Sequence, residues 1–265
     1  MSDSKTPWNG RHLAVAGGGI GGLTFAIAAR RMGFAVTVYE RRSEALEDSA
    51  GGGLGLWPPA QAVMALLGVL PALDDVGAYM PAPSYRTKTG HLLASPSRHF
   101  STRFPILCLR RDALIRILFE QCLSVGVTIR FDCAVGGYSA ADPHRVRVKL
   151  STGESACADV LVGADGIHSR VRTHLLREEG LADLGAAVDC GYAYFRAVLP
   201  VKRNLQHQWH EHAFESWGEG KRFGYVPLRY SQITPQLYVG SQHGIWGKLR
   251  LRMEGLTASV NLREE

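Results

Sequence analysis

Three glycines, Gly17, Gly19 and Gly22, punctuate the stretch VAGGGIGGLTFAIAARRMGFAVTVYE, residues 15–40. Their spacing suits a main chain bent around a pyrophosphate. The first glycine permits the tight turn, the second lets a phosphate approach the backbone, and the third lets a helix pack closely on a strand. The N-terminus of that helix presents free N–H groups and a partial positive charge to an anion. Glu40 follows at the end of the next β-branched run, 18 positions after Gly22. A carboxylate there accepts hydrogen bonds from ribose hydroxyls. The pattern predicts a dinucleotide site, and by itself it suits FAD and NAD alike. Glu40 repels a 2′-phosphate, which disfavours NADP in this pocket. Arg41 and Arg42 come next, either at the adenosine end of the site or as a solvated charge run.

A second cluster lies in VLVGADGIHSRVR. Asp165 and Gly166 close an apolar run, and Ser169 and Arg172 open a helical one, a placement in which Asp also acts as a helix cap. Farther on, Tyr192, Tyr194 and Arg196 alternate, so a strand places them on one face. A planar anionic substrate would meet aromatic rings there and a charge clamp at Arg196; an aromatic core stripe with a surface arginine is the plainer alternative. Tyr225 and Arg222 are further substrate-side candidates. His207, His210, Glu211 and His212 gather without a third ligand at characteristic spacing, so no metal site is assigned. No Ser/His/Asp or Cys/His arrangement stands out, and no catalytic residue is assigned.

The elements that must hold these residues follow from periodicity. His12–Ala16 reads as a buried parallel strand, residues 20–31 as a helix stopped by Gly33, and AVTVY as a second strand, together a βαβ unit. A short helix is expected over 60–67 and an amphipathic one from about Arg111 to Gly126. VTIRF, HRVRVKL and ADVLVGAD read as strands, the last one buried. YAYFRAVL, HAFESW, RFGYVPL and QLYVG make the later chain β-rich. The fold class is therefore α/β, a Rossmann-like domain with a β-sheet region inserted and appended.

Composition narrows the function. The net charge of +6 is scattered from Arg11 to Arg263 rather than gathered, so no nucleic-acid partner is expected. Five cysteines without C-x-x-C spacing argue against a disulfide framework or zinc and for a reducing, cytoplasmic setting. The uncharged run over residues 50–73 contains Pro58, Pro59 and Pro71, so no transmembrane segment is expected.

Taken in order, these motifs resemble the FAD-dependent aromatic-ring monooxygenases, the group A flavoprotein hydroxylases. Asp165, Gly166, Ser169, Val171 and Arg172 match the D-G-x-x-S-x-V-R motif of that family. GGGLGLWPPAQAVMALLG is similar to its G-x-G-x-x-L-x-P-N-A segment, with Pro58, Ala60 and Gly68 in place. LRRDALIRIL is similar to its R-x-x-L-x-x-x-L helix, whose arginine lies near the flavin; Arg111 is the matching position. The β-rich strands look most like the urate hydroxylase and zeaxanthin epoxidase branch. The resemblance runs from about Leu13 to Leu228. It implies a glutathione-reductase-type βαβ FAD domain in segments 1–80 and 109–180, substrate-side strands at 81–108 and 186–240, and an atypical tail at 241–265.

It further implies FAD in the glycine-turn site, with Gly17, Gly19, Gly22, Glu40, Arg41, Arg111, Asp165 and Gly166 as cofactor residues. NAD(P)H and O2 would serve to hydroxylate or epoxidise a small aromatic or conjugated molecule near Tyr194, Arg196 and Tyr225. Two departures stand out. Pro59 replaces the family's asparagine, removing an N–H and an amide. The family's G-D-A-A-H motif is absent, and no Gly-Asp pair occurs anywhere. The sequence therefore reads as a C-terminally truncated relative, with a non-catalytic flavin-binding remnant as the alternative and an NAD-dependent dehydrogenase as a further one.

Overall fold

The computed structural model describes residues 10–43, 52–95, 103–185, 187–189, 191–196, 198–200, 213–228, 232–240, 248–253 and 256–261. The chain opens with β1 (His12–Ala16), α1 (Ile20–Arg31) and β2 (Ala35–Tyr39). Next come β3 (Gly53–Leu56), α2 (Pro58–Leu66) and α3 (Leu70–Val76), then β4 (Ala78–Met80), β5 (Ser84–Thr87), β6 (Leu92–Ala94) and β7 (Ile106–Arg110). Helix α4 (Arg111–Ser124) leads to β8 (Thr128–Arg130), β9 (Val135–Asp142), β10 (Arg145–Leu150), β11 (Ser155–Ala158) and β12 (Val160–Gly163). After α5 (Arg170–Glu178) the strands are β13 (Tyr192–Arg196), β14 (Leu199–Pro200), β15 (Phe214–Gly218) and β16 (Lys221–Leu228), then β17 (Gln232–Gly240), β18 (Lys248–Met253) and β19 (Leu256–Asn261). They form two compact units, Met1–Asp48 with Leu114–Val188, and Ser49–Ala113 with Asp189–Glu265.

The first unit is built on a parallel sheet ordered β12-β1-β2-β8. Its central strand β1 buries Leu13 to Ala16, as a strand covered on both faces must. Helix α1 turns Leu23, Ala26 and Ile27 inward, and α4 contributes Leu114, Ile115, Leu118 and Cys122. Gly33 and Gly126 follow these helices at φ +97° and +82°, the left-handed stop that lacks steric cost only for glycine. The antiparallel β9–β10–β11 layer supplies Val135, Val148, Leu150 and Ala158 to a core shared with Ala14, Ala16 and Tyr39.

One expectation is corrected here. ADVLVGAD reads as a buried strand, yet β12 forms an edge of the sheet, pairing only with β1 among the described residues, and Val160 is 48 % exposed. An apolar run records what a strand prefers to touch; whether a neighbour lies on its outer side is a matter of topology.

The second unit contains the antiparallel triplet β3-β7-β4 and a larger sheet ordered β13-β17-β16-β15-β5-β6. Met80, Ala82, Ile106 and Cys108 pack with Leu228 of β16 in one apolar cluster. Helix α2 starts at Pro58, two residues before the expected Ala60, because proline is well suited to a first helical turn whose N–H groups have no partner. Hairpin β18–β19 pairs only with itself among the described residues.

Candidate cofactor site

The carboxyl ends of β1, β2 and β12 lie side by side, with β1 in the middle. Parallel sheets hold ligands at such an edge, where chain connections leave in opposite directions. Gly17 follows β1 at φ +102° and donates its N–H to Tyr39 O at 2.8 Å. A Cβ on Gly17 would lie 2.5 Å from Ala164 O, and one on Gly22 would lie 1.9 Å from Gly17 O. Packing therefore demands both glycines. Gly19 is different: a Cβ there would meet nothing within 4 Å. Helix α1 begins directly after it, with no side-chain cap and no acidic residue in its first turn. Open space over uncapped N–H donors fits a diphosphate and would not need reshaping to receive one.

Glu40 is 6 % exposed, and its carboxylate is held by this edge. Oε2 accepts the Gly18 N–H at 2.6 Å, and Oε1 accepts the Arg42 N–H and Nε–H, each at 3.0 Å. Burial alone would raise its pKa. The hydrogen bonds from Arg42 and Gly18 and the Arg42 charge outweigh burial and hold it below the ordinary value. A folded pKa below the unfolded one adds stability above the usual carboxylate range, and this is lost as pH falls through the folded value. Glu40→Gln is expected to lower stability by about 1–2 kcal/mol at neutral pH. Parallel thermal melts should show the variant and the parent converging on acidification below pH 4.5.

Asp165 closes the third strand. Its Oδ1 accepts the Ser169 hydroxyl at 2.5 Å, and Oδ2 accepts the N–H groups of Arg170 at 2.7 Å and Val171 at 3.2 Å. Ser169 Oγ in turn accepts the Arg172 N–H at 3.0 Å, so the two residues cap α5 jointly. Gly166 turns the chain between them at φ +85°.

Gly17, Gly19, Gly22, Glu40, Asp165 and Gly166 thus belong to one unit and gather at one sheet edge. Arg41 is exposed, and Arg42 makes the contact with Glu40 instead. Gly18, whose N–H anchors that carboxylate, carried no signal beyond lying inside the glycine run. Arg111 opens α4 in the second unit and donates its N–H to Gly52 O at 3.0 Å. The substrate-side candidates are divided. In register, Arg196 pairs with Gln236 and Gln236 with Gly224, whereas Tyr225 pairs with Pro235, one position off the Tyr194 and Arg196 rows. Tyr238 pairs with both Tyr194 and Arg222, so these positions share one register row. His207, His210, Glu211 and His212 lie outside the described residues.

The family profile of the FAD binding domain matches residues 12–203, well over half of the chain. The chain belongs to that family. Among curated relatives of this FAD-binding chain is aurachin C monooxygenase/isomerase of Stigmatella aurantiaca, 31 % identical over 230 residues, 84 % of this chain and 55 % of the relative. Another is the putative FAD-dependent monooxygenase YetM of Bacillus subtilis, 36 % identical over 174 residues, 64 % of this chain and 46 % of the relative. A tetrameric 2-methyl-3-hydroxypyridine-5-carboxylic acid oxygenase shares the fold with a TM-score of 0.70 at 26 % identity, covering 87 % of this chain and 59 % of its own. The FAD-binding chain therefore spans about half the length of the relatives it matches. No helix among its described residues is long and apolar enough to cross a membrane.

Proposed function

We propose that this chain binds FAD at the carboxyl edge of β1, β2 and β12 and belongs to an NAD(P)H-dependent monooxygenase that hydroxylates or epoxidises a small planar substrate in the cytoplasm. The observation that carries the reading is the open cradle at Gly19 between two glycines that packing makes obligatory. The Ile20 end of α1 holds the diphosphate by N–H donation and the helix dipole. Glu40, fixed by Gly18 and Arg42, keeps an acceptor site on Oε2 for a ribose hydroxyl. Asp165 and Gly166 keep the neighbouring turn and α5 in place, and Arg41 and Arg111 serve the adenosine and flavin ends respectively. FAD, when bound, supplies the redox and oxygen chemistry, and the protein orients the substrate and excludes water.

The substrate class draws on the relatives. One is named for aurachin C, others are named as 2-heptyl-3-hydroxy-4(1H)-quinolone synthases from Rhodococcus erythropolis and Mycobacteroides abscessus, and one as a 6-methylsalicylate 1-monooxygenase from Aspergillus terreus. The quinolone product and the methylsalicylate substrate in these names are flat, oxygen-bearing ring systems.

The test is to purify the chain and quantify the flavin released on denaturation, alongside a Gly19→Val variant. Gly19 has ordinary extended backbone, φ −80° and ψ −178°, and free space around its Cβ position. The variant is expected to melt within about 2 °C of the parent while binding FAD at least about tenfold more weakly, since the valine occupies the phosphate cradle. Equal FAD affinity in both proteins, or no FAD uptake by the parent, refutes the site. FAD uptake without NAD(P)H oxidation marks a flavin-binding chain that is not a catalyst by itself.

A further inference from the structure

Strand β12 closes the parallel sheet of the first unit with one edge unpaired among the described residues. Its residues Val160, Leu161, Val162 and Gly163 are all apolar, yet none of them is buried. An apolar groove runs along each face of that edge. On the α1 side a cavity of about 380 Å³ is walled by Val160, Val162, Phe25, Ala28, Met32 and Phe34. On the β9–β10 side one of about 290 Å³ is walled by Val160, Leu161, Tyr138, Val146, Val171 and Leu175. The charged residues lining these grooves are Arg11 and Asp159, both at the end where β12 begins. Between the grooves lie the main-chain N–H and C=O groups of β12 that point away from β1. A small apolar ligand in one groove would leave the other empty and the peptide groups unpaired. An extended chain meets all of these demands, since alternate side chains enter opposite grooves while the backbone continues the ladder.

We propose that the free edge of β12 seats one further parallel strand, an uncharged aliphatic segment from the portion of the relatives that lies outside the match. Every pairing in this sheet is parallel. A strand added to such a sheet and covered on both faces is a continuous apolar run. Parallel entry starts the segment beside Arg11 and Asp159, so a charge is tolerated only at its first residue. Enough polypeptide exists to supply it. The match takes up 55 % of aurachin C monooxygenase/isomerase and 46 % of YetM, which leaves about as much chain again outside it. The seat belongs to the strand edge and holds whether or not FAD is bound.

The experiment co-produces this chain with the part of YetM outside the matched region, expressed as a separate tagged polypeptide. Hydrogen exchange is then read in residues 160–163, with Val160→Lys and Val160→Thr beside the parent. Val160 is exposed, so both variants should melt within about 2 °C of the parent when purified alone. The tagged segment is expected to retain the parent and the threonine variant and to slow exchange in β12 at least about tenfold. The lysine variant should be lost from the complex, because docking would bury its charge. No retention of the parent, equal retention of the lysine variant, or retention without added protection in β12 overturns the proposal. So does a dimer of the parent alone that already protects β12 and that Val160→Lys dissociates, since the occupant is then a second copy. Should Val160→Lys fail to fold, retention and exchange in the parent decide by themselves.

Discussion

Gly22→Ala is expected to destabilise the first unit by about 3–5 kcal/mol, which corresponds to a fall in melting temperature of roughly 10 °C. The added Cβ would lie 1.9 Å from Gly17 O and 3.5 Å from Ala164 Cβ. Neither neighbour is a pliable side-chain end. One is the main chain of the glycine turn itself, and the other stands at the end of the adjoining strand. Helix α1 would have to withdraw, and withdrawal pulls Leu23, Ala26 and Ile27 from the core they fill. A loss of flavin binding should accompany the loss of stability. Gly21→Ala supplies the contrast one position away. It is exposed, nothing lies within 4 Å of its Cβ position, and it sits inside α1. Alanine there is expected to raise stability by about 0.5–1 kcal/mol through helix propensity. Differential scanning calorimetry on the two variants checks the opposite signs, and two falls of equal size would contradict the packing argument.

Asp165→Ala is expected to cost about 2–3 kcal/mol, and the loss should be concentrated in α5. That helix has nine residues and fully buries none of them, and its packing is confined to Val171 against the core and to His174 and Glu178 against Tyr138. Much of its hold lies in the first turn, where the Asp165 carboxylate takes two main-chain N–H groups and the Ser169 hydroxyl, and Ser169 takes a third N–H. Hydrogen exchange should show residues 170–178 opening at rates near those of an unfolded segment, while α1 keeps its protection. Ser169→Ala should cost less, about 1 kcal/mol. The double variant should fall short of the sum, because both residues serve one network. Unchanged exchange in α5 would show that the helix does not depend on this cap.

The first βαβ unit is legible in the residues because every local signal agrees. β-branched and small apolar runs flank a glycine turn, helical spacing follows, and Gly33 stops the helix. Helix α4 is legible for the same reason. Strand β3 is not, since GLGL has little strand character and owes its state to pairing with β7. Helix α3 is a seven-residue piece with proline in its first turn, too short for periodicity to declare itself. Strand β9 reads as small and polar, and becomes a strand through its hairpin with β10.

Side-chain partnerships are harder still. Arg41 and Arg42 are equivalent as letters, and only the path of the chain leaving β2 gives Arg42 to Glu40. The offset of Tyr225 from the Tyr194 and Arg196 rows depends on register carried through β17, and no pattern within any one strand contains it.

The parallel pairing of β1 with β12 joins positions far apart in the chain: the His12 N–H bonds Asp159 across 147 residues. Synthesis at about 5–20 residues per second leaves β1 waiting roughly seven to thirty seconds for that partner. During that interval an apolar strand has one edge paired with β2 and the other open, while the whole first stretch of the second unit emerges behind it. An open apolar edge over this window invites wrong pairing, so yield in cells is expected to respond to translation speed between β2 and β12 as well as to the stability of the finished fold.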